Sequence, residues 1–328
     1  MLISKPITAI TCAIALILGA SPAGASTDEV ADYPTRQITL VVPFPAGSVS
    51  DAVGRVIGNA LSKTLGKPVV IENKAGAQAT IGAAYVAHAK PDGYTLLVSS
   101  SVMYVAKGLF KTLSYDPVTS FEPVAGFGST AMMFVVPAES PMRTIGDLAA
   151  RVKQGSAPVN MAYGSPSGQV AVALFSNVSN TTPVAISYRG IPQAVTDLMG
   201  GHVQVAVVDV GTGLAQVNSN KARALAISSA KRYPGAPDTP TLQEAYPGAG
   251  AALETIIGIQ APAGTPKGVV EKLDAAVAKA MATDEVKAQF QALNTSVLSL
   301  SAADFGNRID RDNPRWMTLM QKAGITPQ

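Results

Sequence analysis

Strand-like and helix-like segments alternate along the chain, and this alternation constrains the fold more than any other feature of the sequence. In the first part, β-rich runs fall at 37–42, 69–71 and 95–98, and apolar residues at helical spacing fall at 53–65 and 81–89. Ser50 and Asp51 are positioned to cap the first of these helices, and Gly66 and Pro68 end it. A β-α-β-α-β order predicts a mostly parallel sheet with helices on both faces.

The same order restarts after a crossing strand at 133–136. Further strand-like runs at 159–163, 185–188, 203–208 and 222–227 are separated by helical segments, and a β-rich stretch at 256–260 carries the chain back before a helical end. Two α/β units joined by two or more crossings predict a hinged pair with a ligand cleft between them. We therefore predict domain 1 over residues 26–133 and 257–328, and domain 2 over residues 134–256.

The first 25 residues have the three-part order of a cleavable secretory signal peptide. A basic lead containing Lys5 precedes an apolar run from Pro6 to Ala20, and the small residues Ala23 and Ala25 follow it. The apolar run, about 15 residues, is shorter than the ~20 that a membrane-spanning helix needs, which makes a retained anchor the less favoured alternative. The sequence predicts cleavage near Ala25 and export to the periplasm.

The composition of the exported part argues against several classes of protein. Its 24 basic residues (25 minus Lys5) and 22 acidic residues give a net charge of +2, without the clustered Lys and Arg of a nucleic-acid-binding protein. The one cysteine, Cys12, lies in the middle of the signal and not at its cleavage point. This position argues against a lipid-anchored protein and leaves no thiol for disulfide or thiolate chemistry.

Motifs for catalysis or metal binding do not appear in the sequence. The two histidines, His88 and His202, are isolated, so neither a zinc site nor a Ser-His-Asp triad is indicated. The stretch Gly164–Gly168 resembles a nucleophile elbow, but Pro166 stands where the nucleophile would be. We predict a protein that is not an enzyme and that needs no cofactor or metal.

Carboxylates leave one catalytic alternative open. Asp51, Asp209 and Glu254 could approach each other in the cleft, which would suit a hydrolase. A hydrolase needs its acid and its base within reach of one bond, and no motif in the sequence fixes the spacing of these three groups. The hydrolase therefore stays a minor alternative to ligand binding.

Loops of small residues follow three of the predicted strands. They cover residues 43–48, 99–101 and 164–169, and the first and third lead into predicted helix N-termini. In open α/β sheets, ligands bind beyond the carboxyl ends of the strands, and the free N–H groups and positive dipole of a helix N-terminus suit an anion. The three loops therefore predict a carboxylate site, with ordinary turns as the alternative.

Short motifs run in a characteristic order through nearly the whole exported part. They lie at 42–47 with Asp51, and at 65–73, 89–97, 115–117, 187–190, 194–201, 223–226, 237–241 and 261–266. Through their order and spacing, the chain resembles the periplasmic substrate-binding proteins of tripartite tricarboxylate transporters, also called the Bug family.

The resemblance implies the type 2 periplasmic-binding fold, in which two α/β domains close on a ligand. It implies capture of a small carboxylate, either a dicarboxylate or an aromatic acid, and delivery to a two-subunit membrane permease by a protein that we expect to be a monomer. A periplasmic sensor that presents the bound state to a membrane receptor kinase is the alternative function. Carried over residue by residue, the ligand contacts fall on Phe44, Ala46, Gly47, Ser48, Ser100, Ser101, Ser165, Ser167, Gly168, Tyr188 and Asp209.

The chain departs from the family pattern at the loops that decide ligand identity. The usual Gly-Gly reads Gly47-Ser48, and the usual Gly-Ala-Gly-Gly reads Gly76-Ala-Gln78-Ala79. The loop Gly164–Gln169 is shorter than usual and lacks a histidine, and Ile256 stands in place of a tryptophan. The resemblance therefore implies the class of ligand and leaves its identity open.

Overall fold

The computed structural model describes residues 31–322 and 325–327, so the predicted signal peptide lies outside the described residues. Within this part of the chain, ten strands join into one continuous mixed sheet. The strands are β1 Ile38–Val42, β2 Val69–Asn73, β3 Thr95–Ser100, β4 Phe121–Pro137, β5 Asn160–Tyr163, β6 Val184–Ser187, β7 Val205–Asp209, β8 Ala222–Ile227, β9 Glu254–Pro262 and β10 Ser296–Leu300.

Helices cover both faces of this sheet. In chain order they are α1 Val49–Leu65, α2 Thr80–Ala87, α3 Ser101–Tyr104, α4 Ile145–Gln154, α5 Pro166–Ser179, α6 Ile191–Met199, α7 Val210–Asn218, α8 Leu242–Ala245, α9 Lys267–Ala282, α10 Asp284–Ala292 and α11 Ala302–Lys322. Short 3₁₀ turns lie at Ala77–Ala79 and Ala106–Gly108. No helix among residues 31–322 is both long enough and apolar enough to cross a bilayer.

The first half of the sheet has the order β2-β1-β3-β9-β4, with β10 on the outer edge of β4. Strands β1, β2 and β3 are parallel to one another, and β9 is antiparallel to both β3 and β4. The second half repeats this order as β6-β5-β7-β4-β8, with β5 parallel to β6 and β7. In each half the central strands are apolar, as expected for an α/β sheet whose two faces are both covered by helices.

Strand β4 belongs to both halves because it changes partners along its length. Its residues up to Ala131 pair with β9, where Ala131 lies opposite Glu254. From Met132 onward it pairs with β7 and β8, and Met132 lies opposite Asp209. The change of partner lies close to the boundary predicted at 133/134, and we keep the division into two domains as a proposal.

A second crossing, from β8 to β9, is hydrogen bonded to the first through Ser228. The Ser228 hydroxyl accepts from Met132 N–H at 2.9 Å and donates to the Leu253 carbonyl at 2.7 Å. The Ser228 backbone N–H donates to the Met132 carbonyl at 2.8 Å, and Leu253 N–H donates to the Ser228 carbonyl at 2.6 Å. A single buried serine therefore bonds the middle of β4 to the end of β8 and the start of β9, and we call this meeting point of the two crossings the hinge.

Replacing Ser228 by alanine is expected to lower the free energy of unfolding by about 2 kcal/mol, because Met132 N–H and the Leu253 carbonyl lose a partner in a fully buried place. Chemical denaturation of wild type and variant measures this loss. Ser219→Ala is the matched control, since its exposed hydroxyl donates only to the Gln216 carbonyl at 3.0 Å, and its effect should stay within about 0.5 kcal/mol. Equal effects of the two substitutions would contradict this account of the hinge.

The C-terminal helix α11 packs across both halves of the sheet. Phe305 fills the space above Gly258, where an added Cβ would lie 2.4 Å from the phenyl ring. Arg308 lies 3.6 Å from the Glu254 carboxylate, and Arg315 donates to the carbonyls of Gly250 (at 2.6 Å) and Ala252. Farther along, Trp316 is buried in the core of the second half. The helix thus contacts the first half, the second crossing and the second half in turn.

Candidate functional site

The loop after β1 is closed by hydrogen bonds to its own backbone. Ser48 is the N-cap of α1 and its hydroxyl accepts from Asp51 N–H at 3.2 Å. Ser48 N–H donates to the Pro45 carbonyl at 3.2 Å, and Gly47 has a φ of +82°, a conformation that favours glycine. The prediction that Ser50 and Asp51 cap this helix is wrong, because the helix begins at Val49 and the Asp51 carboxylate has other partners.

The Asp51 carboxylate holds this loop against the neighbouring strand. It accepts from Gly47 N–H at 2.9 Å, from Arg55 Nε at 3.1 Å and from Asn73 Nδ2 at 2.9 Å. Asn73, at the end of β2, also donates to the Phe44 carbonyl at 3.2 Å. Burial by itself would raise the pKa of Asp51, but the hydrogen bonds from Arg55, Gly47 and Asn73 outweigh it and hold the pKa below its usual value.

The corresponding loop of the second half precedes α5. Ser165 caps this helix and its hydroxyl accepts from Gly168 N–H at 3.1 Å, with Pro166 in the first turn. Gly164 permits a close approach of two backbones, since an added Cβ would lie 2.2 Å from the Gly190 carbonyl carbon and 2.3 Å from Ile191 N. The start of α6 is therefore packed directly against the start of the α5 loop.

Strand pairing places four polar side chains on one face of the hinge. Ser100 lies opposite Ile257, Thr255 lies opposite Thr130, and Asp209 lies opposite Met132. Directly paired residues point to the same face, and so do residues two apart along a strand. The side chains of Ser100, Thr255, Thr130 and Asp209 therefore share a face, while Ala131 and Glu254 point to the opposite one.

Serines from both halves reach strand β9 beside this face. Ser167, in the first turn of α5, lies with its hydroxyl 3.2 Å from the Thr255 hydroxyl. Ser101, at the start of α3, accepts from Ile256 N–H at 2.8 Å. Ile256 itself points into an apolar cluster with Tyr104, Phe305 and Ile309, so its side chain packs in the core.

Three serine hydroxyls remain able to donate to a ligand. Ser48, Ser101 and Ser165 each accept a hydrogen bond from a backbone N–H, and none of the described residues accepts their own hydroxyl proton. A serine hydroxyl has one proton to donate besides its accepting lone pairs. Donors of this kind, together with the N-termini of α1 and α5, suit a carboxylate.

Two of the predicted contact residues are committed to partners within the second half. Asp209 caps α7, and its two oxygens accept from the backbone N–H and the hydroxyl of Thr212 at 2.8 and 2.7 Å. The Tyr188 hydroxyl donates to Asp197 at 2.6 Å, which holds the pKa of Asp197 below its usual value. The Tyr188 ring packs against the core containing Ala131 and Met133, on the face away from Thr255.

The three carboxylates weighed as a hydrolytic set have separate partners. Asp51 is bound by Arg55 and Asn73, and Asp209 by Thr212, whereas Glu254 lies near Arg308 on the opposite face of the hinge. Within the described residues, no group of three or more His, Cys, Asp or Glu is placed to hold a metal ion. The arrangement offers hydrogen-bond donors and no assembled acid and base.

Thr130 and Thr255, two further residues of the candidate site, were not predicted from the sequence. A lone threonine in a strand carries no signal of function, and their side chains meet only because β4 and β9 pair in this register. Asn73 falls within the motif at 65–73, and its role in fixing the loop after β1 depends on the Asp51 carboxylate. Knowledge of the β4–β9 register would have identified both threonines.

A comparison with known protein families identifies the family of this chain. Residues 53–325 match the family described as "Tripartite tricarboxylate transporter family receptor". The chain is also similar to a UPF0065 protein of Pseudomonas sp., with 33% identity over 290 residues that cover 88% of this chain and 86% of that protein.

Solved structures share the fold over nearly the same length. The periplasmic binding protein BugD is 32% identical, with a TM-score of 0.78 over 90% of this chain and 100% of its own. An R. palustris protein solved with adipate is 28% identical, with a TM-score of 0.81 over 90% of this chain and 100% of its own. MatC of Rhodopseudomonas palustris, solved with malate, is 29% identical, with a TM-score of 0.77 over 88% of this chain and 99% of its own.

Proposed function

Because the chain belongs to the tripartite tricarboxylate transporter receptor family, we propose that it is a periplasmic solute-binding protein that captures a small carboxylate and delivers it to a membrane permease. The family is one of binding receptors, not enzymes, and its fold is the two-domain type 2 periplasmic-binding fold. The observation that carries the proposal is a set of three donor hydroxyls: Ser48 at the N-terminus of α1, Ser165 at the N-terminus of α5, and Ser101 at the start of α3.

Affinity for a carboxylate comes from hydrogen bonds and not from a paired basic side chain. Arg55, the basic residue of the first loop, is bound by Asp51 and Asn73. Hydroxyl and backbone N–H donors give charge-assisted bonds to an ionised carboxylate, and these are roughly twice as strong as bonds between neutral groups. Fixed donors of this kind fit a small acid without requiring it to neutralise a buried cation.

Dicarboxylates are the ligand class that the relatives support best. Adipate and malate, found in two of the similar structures, are both dicarboxylates. In our proposal one carboxylate meets Ser48 and Gly47 on the first half, and Ser165, Ser167 and Gly168 on the second half close over the ligand. Ser100 and Ser101 form the floor beside Phe44 and Ala46, with Asp209 at the side.

Capture consists of domain closure without a chemical step. The units predicted over 26–133 with 257–328 and over 134–256 rotate about the two crossings, and the ligand is held between their loops. The mature protein then presents the ligand, as a monomer, to a two-subunit permease. Export by a signal peptide that ends near Ala25 places it in the periplasm.

The proposal predicts that dicarboxylates raise the Tm of the mature chain and give measurable heats in calorimetry. Ser48→Ala is expected to weaken dicarboxylate binding about tenfold, because one hydroxyl donor to a charged group is lost. It should also destabilise the unliganded protein by about 1 kcal/mol through the lost helix cap.

Thr144→Ala provides the matched control. Thr144 caps α4 by accepting from Asp147 N–H at 3.1 Å, so its loss has a similar effect on stability but lies outside the candidate site. Ligand affinity should therefore be unchanged in this variant. No response to any dicarboxylate or aromatic acid, with a response to sugars or cations instead, would refute the proposed ligand class.

A further inference from the structure

The turn between β2 and α2 has an unusual backbone. Three consecutive residues, Ala77, Gln78 and Ala79, have φ values of +42°, +52° and +77°. A residue with a Cβ is disfavoured in this left-handed region because the Cβ crowds the following carbonyl oxygen. A run of three such residues is therefore a strained segment.

The rest of the described chain avoids this strain. Outside the turn, every described residue with a positive φ is a glycine or one of three asparagines, Asn180, Asn220 and Asn294. Glycine and asparagine are the residues that tolerate the left-handed region best. The chain thus uses permissive residues wherever it needs this conformation, except at 77–79. Strained backbone conformations persist where surrounding contacts hold them, and they cluster at active sites and ligand-binding sites.

The strained turn is held in place by its surroundings. Ala79 N–H donates to the Gly76 carbonyl at 3.0 Å, and the Thr80 hydroxyl donates to the Ala77 carbonyl at 2.8 Å. Ala79 is buried in an apolar cluster with Val41 and Leu97, whereas Gln78 is exposed. The buried neighbour fixes the backbone, and the glutamine side chain is left facing outward.

This turn is fastened to the candidate ligand loop. Strands β1 and β2 are parallel and Val42 lies opposite Asn73, so the two loops leave the same edge of the sheet. Lys74 N–H donates to the Val42 carbonyl at 2.9 Å, and a Cβ added at Gly82 would lie 2.7 Å from Pro43 Cβ. Ala79, the neighbour of Gln78, belongs to an apolar cluster against which Phe44 packs, so the turn at 77–79 lies beside the loop that carries Gly47 and Ser48.

We propose that Gln78 selects the ligand by binding a polar group at the end remote from the carboxylate held at Ser48. The inference rests on the proposed function and names the ligand class more closely. A carboxamide has two N–H donors and one acceptor oxygen, so it binds a second carboxylate or a hydroxyl but gains nothing from an apolar tail. The site should therefore prefer dicarboxylates to monocarboxylates of equal length.

Calorimetry with adipate and with hexanoate, which have the same number of carbon atoms, tests the inference. The wild type is expected to bind adipate more tightly than hexanoate. Gln78→Gly should weaken adipate binding about tenfold, equivalent to about 1.4 kcal/mol, and leave hexanoate binding unchanged. Because glycine relieves the strain, the Tm of the unliganded variant should rise by about 2 °C.

Two further variants separate the side chain from the backbone. Gln78→Ala keeps the strain and removes the carboxamide, so it should lose adipate affinity by a similar factor without the gain in Tm. Asn220→Gly changes another residue with a positive φ, +56°, in the turn after α7, and should leave both affinities unchanged.

A ratio of adipate to hexanoate affinity that stays at the wild-type value in both Gln78 variants would overturn the inference while the proposed function stands. Absence of any carboxylate binding in the wild type would instead refute the proposed function, and the role of Gln78 with it. The two failures are distinguishable because the first appears only in the variants.

Discussion

Replacing Asp51 by alanine is expected to destabilise the protein by about 3 kcal/mol and to abolish carboxylate binding. The substitution removes the acceptor of Gly47 N–H, Arg55 and Asn73 at a residue that is only 3% exposed. Gly47 N–H then loses the acceptor that holds its loop to α1, and Asn73 of β2 keeps only its bond to the Phe44 carbonyl. Urea denaturation measures the stability, and calorimetry with a dicarboxylate measures the binding.

Asp147→Ala is the control for Asp51. The Asp147 carboxylate also accepts two backbone N–H groups, from Arg143 and Thr144, but at an exposed helix start away from the candidate site. It should lose about 1 kcal/mol of stability and keep full ligand affinity. If Asp51→Ala retained ligand affinity, the loop would not depend on this carboxylate and the proposed site would have to be revised.

The contribution of Asp51 also has a predicted pH dependence. Its pKa in the folded protein lies below the usual value, so the unfolded chain binds a proton at a higher pH than the folded chain does. The stabilisation is therefore complete above about pH 5 and is lost as the pH falls below about 4 toward the lowered folded pKa. The difference in stability between wild type and Asp51→Ala should narrow over that acid range.

Replacing Gly164 by alanine is expected to cost about 3 kcal/mol of stability and to weaken ligand binding more than tenfold. The new Cβ would meet backbone atoms of Gly190 and Ile191 at 2.2 to 2.4 Å, and a backbone cannot rotate away as a flexible side chain can. The loop that carries Ser165 and Ser167 must then shift. Thermal denaturation and calorimetry measure the two effects.

Gly146→Ala is the control for Gly164. Gly146 lies in the first turn of α4, where an added Cβ has only the Thr144 hydroxyl as a neighbour, at 3.5 Å. Alanine favours a helix over glycine by up to about 1 kcal/mol, so this variant should be neutral or slightly more stable. A Gly164→Ala protein with wild-type stability and affinity would show that the α5 and α6 loops are not packed as described.

Local patterns were enough to predict the order of the main strands and helices. The short crossing strand predicted at 133–136 is in fact the end of β4, which begins at Phe121. Its first part contains Gly126 and Gly128, and glycine is rare in strands. An added Cβ would be crowded at both positions, 3.1 Å from Phe305 and 3.2 Å from Phe290, and these phenylalanines are far away in the sequence.

The fold class and the family are confirmed by the family match and by the similar solved structures. Both were predictable because the motifs that indicate them are spread over most of the chain. The candidate site was predictable to the level of loops, because small residues at strand ends are visible in the sequence. The geometry was not, because Ser167 meets Thr255 and Ser101 meets Ile256 only through strand pairing between distant segments. The role of each contact residue stays a prediction.

The passage of β4 through both halves of the sheet limits how the protein can open. A continuous strand cannot lengthen. Any change of angle between the halves must therefore come from changes in the backbone torsion angles of a few residues near Ala131 and Met132. Ser228 bonds the second crossing to the same place, which prevents sliding. We therefore expect the two halves to change their relative position by rotation about this point and not by translation.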